Sequence, residues 1–137
     1  LVGDLRNMGG NVRAAATLEL AFLSRLLGII FGSIQGALAC EAEGVQVSEF
    51  TSNLPPGDRA IPLTETKQAG TIDTISSGGA SVEFDGEAET GLYEHAVSAG
   101  INSELPALWL DWVRRAQAAG YGSQETAAVI KELRKPG

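Results

Sequence analysis

The stretch LSRLLGIIFGSIQGALAC (residues 23–40) carries Gly28, Gly32 and Gly36 at four-residue intervals. Four residues make about one turn of an α-helix, so the three glycines share one stripe of a helix. Each glycine costs the helix about 1 kcal/mol relative to alanine, and the usual compensation is the close approach of a second helix. Apolar residues cover the rest of the surface. This pattern predicts either the buried axis of an assembly or a membrane span.

The membrane span is the weaker of these two interpretations. The apolar segment from Leu18 to Cys40 is long enough to cross a bilayer, which takes about 20 residues. It contains Glu19, Arg25 and Gln35, however, and ionisable groups are costly in lipid. It also starts well inside the chain, without the basic leader of a signal peptide. We therefore predict a buried helix at a protein–protein interface and no membrane partner.

The composition indicates one globular domain over residues 1–137. With 44% hydrophobic residues, a chain of 137 residues can bury a core. The net charge of −7 argues against a nucleic-acid partner. A single cysteine, Cys40, cannot form an intrachain disulfide, which favours the cytoplasm, and with one histidine it predicts no metal site. The sequence starts at Leu1, not methionine, which predicts a trimmed chain or a part of a longer one.

The pattern of residues along the chain predicts an all-α fold built as a helical bundle around the glycine-striped helix. Asn11 is expected to cap that helix, and Gly44 to end it. A short helical turn is expected around Glu49. Another helix is expected to start at Ser81 or Glu87 and to end before Gly100.

Prolines, glycines and helix-capping residues predict the secondary structure of the remaining segments. Residues 51–62 are rich in proline and are expected to form a loop, whereas 64–76 are expected to be helical. Apolar residues from Leu105 to Ala119 follow the helical period, and Gly120 should end that helix. Ser123 is then expected to cap a final helix.

Two long segments of the chain resemble imine reductases and reductive aminases. Residues 99–136 are similar to the C-terminal end of that family, with its G-(I/V)-x-x-E-L-P step, its A-x-x-x-G-(H/Y)-G turn and its final L-(R/K)-K-P. Residues 18–45 are similar to the long interdomain helix of the family. The segments occur in the family's order and cover most of the chain except 51–81.

The resemblance implies a partner and a cofactor. Complete enzymes of this family join an NADPH-binding Rossmann domain to a helical C-terminal domain. Their long helix threads between the subunits of an intertwined dimer, and a substrate cavity forms between one subunit's Rossmann domain and the other's helical domain. The resemblance thus implies a homodimer that binds a small apolar molecule. NADPH is implied only where a separate Rossmann domain is present.

Several positions depart from the family pattern. The chain has no G-x-G-x-x-G motif after a strand, so we expect no cofactor-binding residues in it. Glu19 stands where many members have an aspartate, and Leu27 where many reductive aminases have a tyrosine. Asp85 falls about where a cavity glutamine often lies. The long helix also lacks the lysine used by the related β-hydroxyacid dehydrogenases.

Glu19 is the candidate catalytic residue. Its neighbours Leu18, Leu20 and Phe22 are apolar, so burial would raise its pKa and suit it to general acid–base work near neutrality. The alternative is an ion pair with Arg13 or Arg25 on a helix surface.

The candidate substrate-binding residues are apolar or aromatic, with one carboxylate. The alternative for the aromatic ones is an ordinary role in the core. The acidic residues that alternate from Glu83 to Glu89, Asp85 among them, are by default a solvated face. The candidates are Leu23, Leu27, Phe31, Asp85, Tyr93, Trp109 and Trp112.

Three functions remain open at this point. We favour a freestanding helical domain that binds an apolar biosynthetic intermediate, or cyclises or isomerises it without redox chemistry, with Glu19 as the acid–base group. The alternative is the C-terminal half of an NADPH-dependent imine reductase or reductive aminase. A purely structural dimerisation module is the third.

Overall fold

The fold is all-α, with one small β-hairpin, in a computed structural model that describes residues 12–55, 65–68, 71–75 and 80–134. The elements follow one another along the chain in the order helix, helix, hairpin, helix, helix and a short helical end. They are α1 (Val12–Glu43), α2 (Val47–Ser52), β1 (Glu65–Gln68), β2 (Thr71–Ile75), α3 (Val82–Ala99), α4 (Glu104–Ala118), a 3₁₀ turn (Thr126–Val129) and α5 (Ile130–Leu133).

The long helix and its stop signal are confirmed. Gly44 adopts a left-handed conformation with φ of 70°, which only glycine reaches without strain, and the helix ends there. The backbone N–H of Val45 then donates to the carbonyl of Cys40 at 2.9 Å, which satisfies one of the last helical carbonyls. The expected Asn11 cap lies outside the described residues.

The two halves of α1 have different environments. Its C-terminal half is buried against the rest of the chain through Leu27, Ile30, Phe31, Ile34 and Ala37. Its N-terminal half is largely exposed, and the Phe22 side chain there is 70% accessible. The core of this chain therefore begins about halfway along its longest helix.

Aromatic rings of the same chain fill two of the three glycine positions. A Cβ atom at Gly36 would lie 2.7 Å from Cζ of Phe50, so the ring of Phe50 needs glycine there. A Cβ atom at Gly28 would lie 3.7 Å from the indole of Trp109, an ordinary contact. Gly32 has nothing within 4 Å of that position. Within this chain, Gly28 and Gly36 are therefore approached by aromatic side chains and not by the backbone of a second helix.

By length and composition alone, α1 could cross a membrane. It has 32 residues and contains an 18-residue window with a mean hydropathy of 1.7. Core helices of soluble proteins and signal sequences near an N-terminus pass the same test. The C-terminal half of α1 packs in the core of this chain, whereas only 17% of the apolar window is buried within it.

Helices α3 and α4 are confirmed, and they pack against each other. Ser81 caps α3, since its Oγ accepts the backbone N–H of Phe84 at 3.1 Å, and Gly100 ends it with φ of 69°. The helices approach closely at Gly86, where a Cβ atom would meet Nε2 of Gln117 at 2.5 Å. Gly86 therefore sets the spacing between the two helices.

The helix predicted over 64–76 is wrong. Residues Glu65–Gln68 and Thr71–Ile75 form two antiparallel strands, β1 and β2. The two threonines and two isoleucines of β2 are β-branched and favour extended backbone. Residues 56–62 of the expected proline-rich loop lie outside the described residues.

The final helix starts later than predicted. Ser123 is not its cap, because Glu125 is extended and forms an antiparallel bridge with Ser81 at the start of α3. The N–H of Val82 donates to the carbonyl of Gln124 at 2.8 Å, and the N–H of Thr126 donates to that of Ala80 at 3.1 Å. A 3₁₀ turn and the short α5 follow. The chain end is fastened to α1 by Arg134, which donates two hydrogen bonds to the Glu41 carboxylate at 2.7 and 3.0 Å.

Candidate functional site

Five of the seven predicted substrate-binding residues come together where α1 crosses α4. The Phe31 ring stacks on Trp109, with centroids 5.6 Å apart, and meets Trp112 edge-on at 5.7 Å. Leu27 packs beside them, and Leu23 lies at the edge of the same core. We call these five residues (Leu23, Leu27, Phe31, Trp109 and Trp112) the aromatic cluster.

The aromatic cluster is packed within this chain and opens at one edge. Leu27, Phe31 and Trp109 are buried, and Phe31 is only 2% exposed. Leu23 and Trp112 are half-buried. Leu23 and Trp112 are therefore the more accessible members of the cluster in this chain.

Glu19 is exposed, one helical turn before Leu23. The neighbouring residues Leu18 and Phe22 are exposed as well, so the single chain does not enclose the Glu19 carboxylate in an apolar pocket. Desolvation of Glu19 requires another surface to cover this part of α1. Its catalytic role stays a prediction.

The two other predicted binding residues lie on α3. Tyr93 is half-buried and outside the aromatic cluster. Asp85 is 6% exposed and faces the 3₁₀ turn, so it lines a different part of the core. The structure therefore does not bring Asp85 to the cluster.

The acidic residues of α3 do not form one solvated face, so that default prediction is wrong. Glu83 and Glu87 are exposed, whereas Asp85 and Glu89 are buried. Alternate residues of a helix point to opposite sides, while residues four apart share a side. Asp85 and Glu89 thus lie together with Val82 and Leu92 on the side that packs inward.

The buried carboxyl pair of Asp85 and Glu89 is unequally hydrogen-bonded. Oδ2 of Asp85 is hydrogen-bonded to the hydroxyl of Thr126. Glu89 is 0% exposed, and within the part of the chain that the structure describes neither of its carboxylate oxygens has a hydrogen-bond partner. A buried ionised carboxylate without partners is strongly disfavoured.

This environment changes the acidity of both groups. Burial, and then the negative charge of Asp85, raises the pKa of Glu89 from 4.5 to about 9. Burial also raises the pKa of Asp85, and the hydrogen bond with Thr126 partly opposes that shift. Sequence reasoning missed Glu89; the signal was its four-residue spacing from Asp85 in register with Val82, Leu92 and Ala96.

The described residues contain no set of three histidine, cysteine, aspartate or glutamate side chains that could hold a metal ion. His95 and Cys40 are each half-buried on different helices.

One family of known proteins matches the chain. The family model described as the C-terminal domain of NADPH-dependent reductive aminase-like proteins matches residues 11–135. That range includes every described helix and both strands. No curated protein matches the chain.

Proposed function

We propose that this chain, which belongs to the family of NADPH-dependent reductive aminase-like C-terminal domains, is the dimer-forming and substrate-facing part of such an enzyme. The family match over residues 11–135 is the observation that carries the proposal. In this function the hydride comes from NADPH held on a dinucleotide-binding domain, and the helical chain shapes the place where the imine or amine sits.

The residues of this chain do not fit an NADPH phosphate site of their own. The described strand that leads toward a helix, β2, is followed by Ser-Ser-Gly-Gly-Ala-Ser instead of G-x-G-x-x-G. It also belongs to an antiparallel hairpin, not to a βαβ unit. The nucleotide is therefore assigned to a separate domain, and we expect the chain alone not to bind NADPH.

The exposed half of α1 supports a homodimer. Leu18, Phe22 and Leu26 follow one another at four-residue intervals and are 40%, 70% and 41% exposed. Together they form an apolar stripe about three turns long. Soluble proteins rarely leave such a stripe uncovered, and a second copy of the helical domain would cover it.

The same stripe borders Glu19 and the open edge of the aromatic cluster. A partner surface laid on it would enclose Glu19 together with Leu23 and Trp112. Enclosure would remove water from the Glu19 carboxyl and bring it next to a bound amine, as proton transfer requires. In this function Glu19 handles the proton, and the aromatic cluster binds the apolar part of the substrate.

The freestanding function without redox chemistry has less support. The family match favours a reductive enzyme, and neither the family description nor the aromatic cluster points to cyclisation or isomerisation. The freestanding function is therefore the alternative that the experiment below tests.

The experiment combines the chain with its dinucleotide-binding domain. The protein encoded by the whole gene is supplied with NADPH, a ketone and a small primary amine, and NADPH oxidation and amine product are measured. We expect amine formation that depends on NADPH and falls in the Glu19→Gln variant. Conversion of an imine or other intermediate by the 137-residue chain without nucleotide would contradict the proposal and favour the freestanding function.

A further inference from the structure

The carboxyl pair of Asp85 and Glu89 is a buried ionisable site that the proposed function does not use. Glu89 has zero exposure, and within the described residues both its oxygens lack a hydrogen-bond partner. Asp85 is 94% buried one turn earlier on the same side of α3. Two carboxyl groups therefore share one interior site.

The described cations on the surrounding elements are engaged elsewhere or exposed. On α4, Gln117 faces α3 with a neutral amide, and Arg115 is exposed and pairs with Asp111. On α5, Lys131 donates to Gln124 at 2.9 Å. Among the remaining charged groups of α3, of α4 and of the segment from residue 125 to α5, His95 is half-buried and Glu132 is buried. The others are exposed: Glu83, Glu87, Glu94, Glu104, Arg114 and Glu125.

The hydrogen-bonding geometry around Thr126 also accommodates an extra proton on Asp85. Its hydroxyl lies within reach of the Asp85 carboxylate and of the Ala80 carbonyl, the latter at 3.3 Å. A hydroxyl donates one hydrogen bond, so when Thr126 donates to Ala80, Asp85 must donate to Thr126. A proton on the carboxyl pair satisfies this geometry and removes one of two like charges from the interior.

We propose that Asp85 and Glu89 hold one proton between them at neutral pH and that this proton fastens α3 to the segment 124–126 and the 3₁₀ turn behind it. Both pKa values are raised by burial, that of Glu89 to about 9. Loss of the proton leaves two negative charges in the core. Water must then enter between α3 and the 3₁₀ turn, and the C-terminal segment loosens.

The sign of the pH dependence follows from proton linkage. The pKa of Glu89 rises from 4.5 in the unfolded chain to about 9 in the folded one, so the folded chain binds the extra proton. The stability from this group is full below the unfolded pKa and is lost as pH rises toward the folded pKa. One proton of difference raises the unfolding constant about tenfold per pH unit across this window.

The experiment compares the full chain with Glu89→Gln and with the matched control Glu87→Gln. Infrared spectra at neutral pH should contain a protonated-carboxyl band that Glu89→Gln removes and Glu87→Gln keeps. Between pH 6 and 9, stability should fall steeply in the chain and in Glu87→Gln, and much less in Glu89→Gln. In the unmodified chain and in Glu87→Gln, the hydrogen-exchange protection of the Val82 and Thr126 amides should fall over the same pH range.

Several results would overturn the proposal. They are absence of the band at neutral pH, equal pH dependence of stability in all three proteins, or amide protection at Val82 and Thr126 that does not change with pH. If the Glu89→Gln variant does not fold, the infrared experiment on Asp85→Asn tests the proposal instead. Removing the neighbouring charge should move the midpoint of the band to lower pH, and an unchanged midpoint would refute a shared proton.

Discussion

The N-terminal half of α1 resembles the C-terminal half in composition and differs from it in surroundings. Both are apolar, yet Phe31 is 2% exposed and Phe22 is 70% exposed. The C-terminal half packs against aromatic rings and the chain end, and the N-terminal half has no such cover within the described residues. Hydrophobicity thus predicts that a surface needs covering, but it does not identify the element that covers it.

The largest expected effect contrasts two phenylalanines on the same helix. Phe31→Ala should lower the free energy of unfolding by about 3–5 kcal/mol, because it leaves a cavity between Trp109 and Trp112. Phe22→Ala removes a side chain that is exposed in the single chain, so it should change monomer stability little. Denaturant unfolding measures both variants.

The same pair of variants tests the assembly. Phe22→Ala should weaken self-association, measured by light scattering over a range of concentrations. A stable monomer of the unmodified chain at micromolar concentration would contradict the proposed dimer.

A substitution at Glu19 tests whether the exposed N-terminal half of α1 forms part of an active site. In the enzyme assembled with its dinucleotide-binding domain, Glu19→Gln should slow turnover about 100-fold or more, since the amide cannot transfer a proton. Thermal unfolding of the 137-residue chain as a monomer should be unchanged, because Glu19 is exposed in the single chain. Full activity of this variant would make Glu19 a surface residue of a structural helix.

Substitutions at Gly36 and Gly32 compare a glycine packed within the chain with one that faces open space. Gly36→Leu should destabilise the chain by about 1–3 kcal/mol, because its Cβ atom would collide with the Phe50 ring. Gly32→Leu has open space in the single chain and should leave the fold intact. If Gly32 lies in the dimer interface, the same substitution should abolish self-association, and analytical ultracentrifugation separates the two effects.

The smallest expected effect is at the end of the buried half. Glu41→Gln removes the charge that holds Arg134, and both side chains are about a quarter exposed. We expect a loss of about 1 kcal/mol in unfolding free energy, smaller at high salt. An unchanged value at low salt would mean that this ion pair does not stabilise the chain.

The glycines and the helical period made much of the fold predictable from sequence. The ends of helices at Gly44 and Gly100, a helix start near Ser81 and the helical period of α4 depend on neighbours within a few residues. The structure contains all of them. The hairpin was missed because propensity over 64–76 is mixed. The final helix was misplaced because its start depends on pairing with Ala80 and Val82, which lie more than forty residues away.

All five residues of the aromatic cluster were named from the sequence as candidate substrate-binding residues, and the four-residue spacing of Leu23, Leu27 and Phe31 puts these three on one helical face. That Trp109 and Trp112 meet this face is a long-range contact that spacing cannot supply. Asp85 was named for the cavity, and the structure places it in the carboxyl pair instead. Glu89 was not singled out, because an acidic residue is exposed by default.

The sequence by itself determined the all-α class, the long helix with its ends and the family, because these depend on local turns and on the order of motifs along the chain. Only the tertiary structure decided which glycine receives a ring, which half of α1 is covered and which carboxyl groups are buried. Burial depends on what packs from distant parts of the chain. A glutamate is therefore exposed to solvent at position 87 and buried in the core two residues later, at position 89.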